Sequence, residues 1–438
     1  MNSIHILLLF SVLPVRSALS ATESAPALGQ ASITPELIDR LMAEAKNANP
    51  ALEAAGARTD AADEAVGSVR TWDDPTFSFG LWRSSSQGFS SSEQGNIIYG
   101  IDQKLPVFGR PELARTVAEA AAATVRLNAD YEVQKLRRDL TVALLGLALD
   151  DRGLELAKED LRWLEATVST LDGRYRVGKS SQVEWLKAQT ERAKAASALT
   201  TLESQRNHQG VLVNRLLNRE LHSQWPTFEL PALSGPMPDD EALVDAALGY
   251  APKLKAMRQE TAENEAAAIL TSRKRLPEVG VGVQARQYSG DGGIREGTLT
   301  VNFTLPWINR RGYDSDVRRD KARSRAAERD AADYELGLRE EVHHLTVDLS
   351  AARRQAILYR DELIPLTEQT LSSAQSTWQS SLGTIQDVLE AHRMLVEDQL
   401  DLAQSTTEQA GKVADLTLLT GIRDYSVLAE GGPSAPPN

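Results

Sequence analysis

The sequence predicts a mainly α-helical chain with a small β part, written as a twofold internal repeat of long coiled-coil helices and four short strands. Three observations carry this. Short motifs recur in order about 200 residues apart, an apolar heptad face persists across each half, and each half holds two segments of strict apolar/polar alternation.

The elements follow in chain order. Residues 4–15 are the only long apolar run, too short for a bilayer helix of roughly 20 residues. With the small residues Ala18 and Ser20 behind it, 1–20 is expected to be a secretory signal peptide, and 21–33 a linker. Repeat 1 is expected over 34–220, opening with a helix at Thr34-Pro35, an N-cap followed by Pro at the first helical position. Strands over 75–84 and 96–105 follow, joined by a polar loop, and then long helices over 112–172 and 181–219. A Pro-rich linker spans 221–238. Repeat 2 covers 239–421, with a helix opening near Asp239-Asp240, strands over 278–288 and 297–305, and long helices over 312–376 and 385–419. The tail 422–438 is expected to be flexible.

The repeat rests on matched residues. Asn49-Pro50-Ala51-Leu52 returns as Ala251-Pro252-Lys253-Leu254, Leu105-Pro106 with Arg110 as Leu305-Pro306 with Arg310, and Tyr131-Glu132 as Tyr334-Glu335. One heptad face reads Val133/Leu136, Leu140/Ala143, Leu147/Asp150, Leu154/Ala157, Leu161/Leu164, Val168/Leu171. Its counterpart reads Val342/Leu345, Leu349/Ala352, Ala356/Tyr359, Leu363/Leu366. A sustained 3.5-residue period means helices packed side by side. In the strands, Phe77, Phe79 and Leu81 alternate with Thr76, Ser78 and Gly80, and Leu299, Val301 and Phe303 with Thr298, Thr300 and Asn302. That pattern suits a barrel wall in lipid or a half-buried sheet in a soluble domain. Four strands cannot close a barrel round a pore, so a barrel needs several copies of the chain.

Composition narrows the functions. Of the 438 residues, 42% are hydrophobic and 25% charged, and the net charge of −13 argues against nucleic acid as a partner. The absence of Cys excludes a disulfide scaffold, thiolate metal sites and a thiol nucleophile. Gly173-Arg174-Tyr175-Arg176-Val177-Gly178-Lys179-Ser180 matches a phosphate-binding loop literally, and residues 141–150 imitate the apolar strand ending in a magnesium-binding Asp. That chemistry needs a strand before the loop, whereas residues 161–171 continue the heptad face. Gly280-Val281-Gly282 falls inside an alternating run, not after a strand. None of the six His residues sits in a metal-binding motif. No catalytic residue, cofactor or metal site is expected.

Signal peptide, twofold repeat, paired strands and long coiled-coil helices together resemble the TolC-type outer-membrane efflux channels over nearly the whole mature chain. The opening motif Asn49-Pro50-Ala51-Leu52 is similar to the family's. So are the strand exit 103–110, echoed by 303–310, the stretch Tyr175-Arg176-Val177-Gly178, and residues 386–391; the Asn-Pro and Leu-Pro motifs are most like the heavy-metal-exporter branch. The resemblance implies a homotrimer whose chains give four strands each to a twelve-stranded barrel in the outer membrane of a Gram-negative bacterium. The helices would form an α-barrel reaching across the periplasm to a periplasmic adaptor and an inner-membrane efflux pump. It places the adaptor-docking tips at Val177, Gly178, Lys179 and Leu382, Gly383, Thr384. At the periplasmic gate, Ser372 and Gln375 stand where relatives carry acids, with Asp172 the nearest acidic substitute. A periplasmic coiled-coil adaptor, which should have a single hairpin, and a nucleotide-binding protein acting through residues 173–180 remain as alternatives.

Overall fold

The computed structural model describes residues 31–83, 95–233, 235, 240–288 and 292–423. The expected signal peptide, nearly all of the 21–33 linker, and the tail beyond residue 423 lie outside them. In order, the elements are β1 (Ala31–Ser32), α1 (Pro35–Ala48), α2 (Pro50–Gly67), β2 (Thr76–Arg83), β3 (Gly95–Lys104), α3 (Arg110–Arg176), α4 (Gln182–Leu217), β4 (Phe228–Glu229), α5 (Asp240–Tyr250), α6 (Pro252–Arg273), β5 (Val279–Tyr288), β6 (Ile294–Phe303), α7 (Arg310–Leu358), α8 (Ile364–Gln379) and α9 (Ile385–Thr420). The second half repeats the first, α5 for α1, α6 for α2, and α9 for α4.

The opening helix of each repeat is in fact two. Asn49 ends α1 by donating its N–H to the Ala45 carbonyl (2.8 Å) and caps α2 by accepting the Ala51 N–H on Oδ1 (2.8 Å). Its Nδ2 donates to the Leu216 carbonyl at 2.7 Å, pinning the corner to α4. Pro50 forces the break, because the residue before a proline is pushed out of helical geometry.

The four long strands form one antiparallel sheet in the order β2-β3-β5-β6, so β3 and β5 join the two repeats. Register puts Phe77, Ile101, Val283 and Leu299 in one row, and Ser78, Gly100 and Gln284 in the next. One face is therefore apolar and the other polar. The apolar face is open in the isolated chain, with Phe77 64% and Leu299 72% exposed. On the polar face, Gly100 and Gly282 leave room for Ser78, Asp102 and Thr300 to lie across the sheet; a Cβ at either glycine would collide with them. The second hairpin loop is shorter than the expected 289–296, because β6 begins at Ile294 and a bulge at Arg286/Gln287 takes up the slack.

Helix α3 has 67 residues and runs about 100 Å at 1.5 Å per residue. The expected face is buried along it, at Leu136, Leu140, Ala143, Leu147, Leu154, Leu164 and Leu171. Its counterpart is also helical without a break, from Arg310 to Gln379, but not with one uniform period. After α7 a π-helical turn, Tyr359–Leu363, inserts one extra residue ahead of Pro365, and α8 follows. The expected face of Leu363 and Leu366 is rotated: Leu366 is exposed, and Thr367, Leu371, Ala374 and Trp378 face the partner helices instead. Proline supplies no N–H and crowds the carbonyl four residues back, which a π turn relieves.

Each repeat has a core where its short first helix covers the long ones: Leu41, Met42 and Ala45 on Leu140, Leu144 and Leu147; Leu243 and Ala247 on Leu338, Val342 and Leu349. The linker completes the first. Asp151, buried on α3, pairs with Arg206 Nε and accepts the Phe228 N–H (2.9 Å), while Arg206 donates to the carbonyls of Trp225 (3.1 Å) and Pro226 (3.0 Å). Trp225 Nε1 donates to Asn214 Oδ1 at 2.8 Å. Asp150, the one polar residue on the expected heptad face, is half-buried, and burial raises its carboxyl pKa, with the neighbouring Asp151 charge adding to it. Asp151→Ala leaves the half-buried Arg206 without its countercharge and the Phe228 N–H without its acceptor, and is expected to cost about 3 kcal/mol, with Asp151→Asn costing less. The check is the denaturant midpoint of helical circular dichroism; an unchanged midpoint would show that the clamp contributes nothing.

Candidate functional site

The two hairpin ends are one turn written twice, 203 residues apart. At the end of α3, Gly178 is left-handed (φ +71°); its N–H donates to the Tyr175 carbonyl (2.9 Å) and the Lys179 N–H to the Arg174 carbonyl (2.8 Å). At the end of α8, Ser381 is left-handed (φ +61°); its N–H donates to Trp378 (3.1 Å) and the Leu382 N–H to Thr377 (2.9 Å). Both are helix terminations that satisfy otherwise orphaned carbonyls. The structural partner of Gly178 is thus Ser381, not Gly383. Gly383 is small for another reason: a Cβ there would press on Thr377 at 3.1–3.4 Å.

Both turns re-enter helix through the same capping box. Ser181 Oγ accepts the Glu184 N–H (3.2 Å), and Glu184 Oε2 accepts the Ser181 N–H (2.7 Å). Thr384 Oγ1 accepts the Asp387 N–H (3.3 Å), and Asp387 Oδ2 accepts the Thr384 N–H (3.1 Å). The phosphate-loop resemblance of residues 173–180 dissolves into these parts. Residues 173–176 are the last turn of α3, Gly178 terminates it, and Ser180 donates its hydroxyl to Glu184 (2.6 Å). No strand precedes the loop.

Each tip presents one apolar side chain outward among polar and charged ones. Val177 is 67% and Leu382 84% exposed, flanked by exposed Lys179 and Thr384. Behind them the hairpins pack on each other through Leu171, Ala188, Ile385 and Val388. The Arg174 guanidinium lies 4.3 Å over the Trp378 ring, and Lys187 donates to Gln386 (3.2 Å). Of the gate candidates, Asp172 and Gln375 occupy equivalent places in the two repeats, three residues before Tyr175 and Trp378, and Ser372 is exposed one turn earlier. Asp172 is paired with Arg176 at 2.8 Å on the surface, an interaction worth little. Further from the tips, His392 is buried, stacked on Trp163 (centroids 3.6 Å apart) with Nε2 3.0 Å from Asp160 Oδ1. Sequence reading missed this pair because its members stand 232 residues apart. Among the described residues no group of three His, Cys, Asp or Glu side chains converges as metal ligands, and no helix is long and apolar enough to cross a membrane.

Residues 41–219 and 243–422 match the outer membrane efflux protein family. The chain belongs to that family. The two matched stretches are the two repeats, and the family's division falls in the linker. Solved structures share the fold. The outer membrane protein VceC from Vibrio cholerae superposes with a TM-score of 0.74 at 18% identity, over 89% of this chain and 96% of that one. The CmeC channel of Campylobacter jejuni gives 0.76 at 13% identity, over 96% and 94%. CusC gives 0.76 at 14%, over 88% and 92%. No curated protein sequence matches.

Two outcomes follow for the tips. Gly178→Ala forces a Cβ into a left-handed position and should destabilise the first tip by about 1 kcal/mol, while Ser381→Gly should stabilise the second by a similar amount. Hydrogen exchange at the tip amides reads both, and equal exchange in all three proteins would refute the assignment. The caps should also respond to pH. The Ser180 hydroxyl and then the Ser181 N–H hold the Glu184 carboxyl below its usual range, and the Thr384 hydroxyl and then its N–H do the same for Asp387. A depressed carboxyl contributes stability above its ordinary pKa and loses it as pH falls through the depressed one. Protection of the Glu184 and Asp387 amides should therefore be flat at neutral pH and fall only below the ordinary carboxylate range. Loss of protection already near pH 6 would contradict this.

Proposed function

We propose that this chain is the outer-membrane channel subunit of a tripartite exporter. It is a homotrimer that passively conducts small compounds, metal cations or drugs, from an inner-membrane pump and a periplasmic adaptor to the outside. The observation that carries the reading is the unfinished sheet. It has an apolar face, a polar face and two edges, β2 and β6, that are unpaired among the described residues. In hydrocarbon every backbone N–H and C=O must be paired, so such a sheet is viable only when closed. Because β2 and β6 run in opposite directions, β6 of one copy can take β2 of the next as a further antiparallel neighbour. Rotation closes the ring, with the apolar faces on lipid and the polar faces on the lumen. Family membership supports placement in the outer membrane and function in efflux.

The long helices then continue the wall through the periplasm, and the tips become its inner end. Val177 and Leu382 offer apolar contact area, and Gly178 and Gly383 close approach, which suits docking of an adaptor. The Asp172 and Gln375 positions would alternate round the narrow end, giving a gate with one acidic residue per copy. The test is a Val177→Asp, Leu382→Asp double variant. Export-dependent resistance is expected to fall at least about tenfold, because a charge in a desolvated contact is costly, while trimer abundance in the outer membrane stays at the wild-type level. Unchanged resistance would refute the docking role. A wild-type protein that is monomeric in detergent would refute the channel reading itself.

A further inference from the structure

Above the tips the helices form an open layer: α2 packs on α3, α3 on α6, and α6 on α7. The layer ends in α2 on one side and α7 on the other, as the sheet ends in β2 and β6. Each end helix carries charge without countercharge. On α7, Arg318, Arg325 and Arg329 lie on one stripe, all exposed, and among the described residues none has an ion-pair partner. This stripe is turned away from the one that meets α6, where Val317 and Asp320 are buried. On α2, exposed Ala57, Ala61 and Ala65 are flanked by exposed Glu53, Asp60 and Glu64, and these three acids likewise have no ion-pair partner among the described residues, unlike Asp63, which holds Arg126 at 2.6 Å.

We propose that these two faces meet between copies of the chain: the α7 arginines of one subunit lie across the α2 alanines of the next and pair with Glu53, Asp60 and Glu64. The inference rests on the closed-ring reading above and names the contact that holds the helical part of that ring together. The internal repeat supplies the register. In a closed ring built from repeats, the α7–α2 contact between copies is the counterpart of the α3–α6 contact within one. There Gln259 donates to the Ala120 carbonyl (3.4 Å), and Lys253 lies 5.9 Å from the Tyr131 ring centre. The repeat spacing carries Gln259 to Ala57, Lys253 to Ala51, Ala120 to about residue 322 and Tyr131 to Tyr334. On that register, with α2 and α7 antiparallel, Arg325 and Arg329 fall opposite Glu53, Arg318 and Arg325 opposite Asp60, and Arg318 opposite Glu64. The chemistry fits the spacing. Alanine allows a neighbouring helix to come close, arginine stems cover the alanine methyls, and guanidinium heads reach the carboxylates on the flank.

The seam should be sensitive to salt and to the sign of its charges. The full chain is purified in detergent, and the temperature at which trimer gives way to monomer is followed by native mass measurement. Raising salt from about 0.05 M to about 1 M should lower that temperature for the wild type, because exposed pairs are screened. Reversing α7 (Arg318→Glu, Arg325→Glu, Arg329→Glu) should raise the dissociated fraction at least about tenfold. Reversing α2 (Glu53→Lys, Asp60→Lys, Glu64→Lys) should do the same. Combining both sets restores opposite charges and should return the trimer to near the wild-type midpoint, with circular dichroism reporting folding of each monomer. Additive loss in the combined variant, or a wild-type midpoint indifferent to salt and to both reversals, would overturn the seam and leave the trimer standing. A wild type that never forms trimers would overturn the closed-ring reading instead.

Discussion

The architecture turns on a row of backbone hydrogen bonds that the described residues leave unmade at the edges of β2 and β6. Among the described residues the outer rows of β2 and β6 have no strand beside them, and an exposed edge with an apolar face is an aggregation hazard. The edges are only lightly protected: a bulge at Arg286/Gln287 and the charges of Arg295 and Glu296 blunt the start of β6, while among the described residues no helix covers either edge and no proline interrupts the strands. In the closed ring proposed above, such an edge would be paired by the next copy. The helical layer has the same topology, ending in α2 and α7 where the sheet ends in β2 and β6. Strand order and helix order are thus one pattern, set by the duplication, and sheet and helical layer end at corresponding places.

Most of this was legible from residue spacing. The duplication, the heptad face and the alternating strands are periodic signals, and periodicity survives any uncertainty about a single residue. Leu140, Leu147, Leu154 and Leu349 are buried where the seven-residue count puts them. The count failed where one residue was added. The π turn at Tyr359–Leu363 moves every later position by one, so Leu366 turned outward and Thr367 inward. Pro365 was the available signal, since a proline inside a helical pattern must be accommodated by some local change. The interactions that sequence could not supply are those between residues far apart in the chain. Asp151 with Arg206 and Phe228, and His392 with Asp160 and Trp163, have no local signature.

The tips show how a motif and its chemistry separate. The letters Gly, Lys and Ser in order serve phosphate when a strand delivers them to a helix N-terminus. Here a helix delivers them, so Gly178 supplies a left-handed residue and Ser180 braces a cap. The second repeat confirms the division of labour, because Ser381 holds the left-handed position without glycine and Thr384 with Asp387 repeats the cap of Ser181 with Glu184. Backbone geometry was kept where the side-chain identities diverged. Sequence alignment by identity would pair the glycines, whereas the hydrogen bonds pair Gly178 with Ser381.

The linker clamp bears on the order in which the molecule can be made. β1 at Ala31–Ser32 pairs in parallel with β4 at Phe228–Glu229, and Trp225 and Phe228 sit in the same core as Leu41 and Met42. The start of the described chain therefore has no complete surroundings until almost two hundred further residues have been delivered. Such long-range closure is slow and leaves apolar surface uncovered in the meantime. The core of the first repeat is thus complete only when the segment leading into the second is in place.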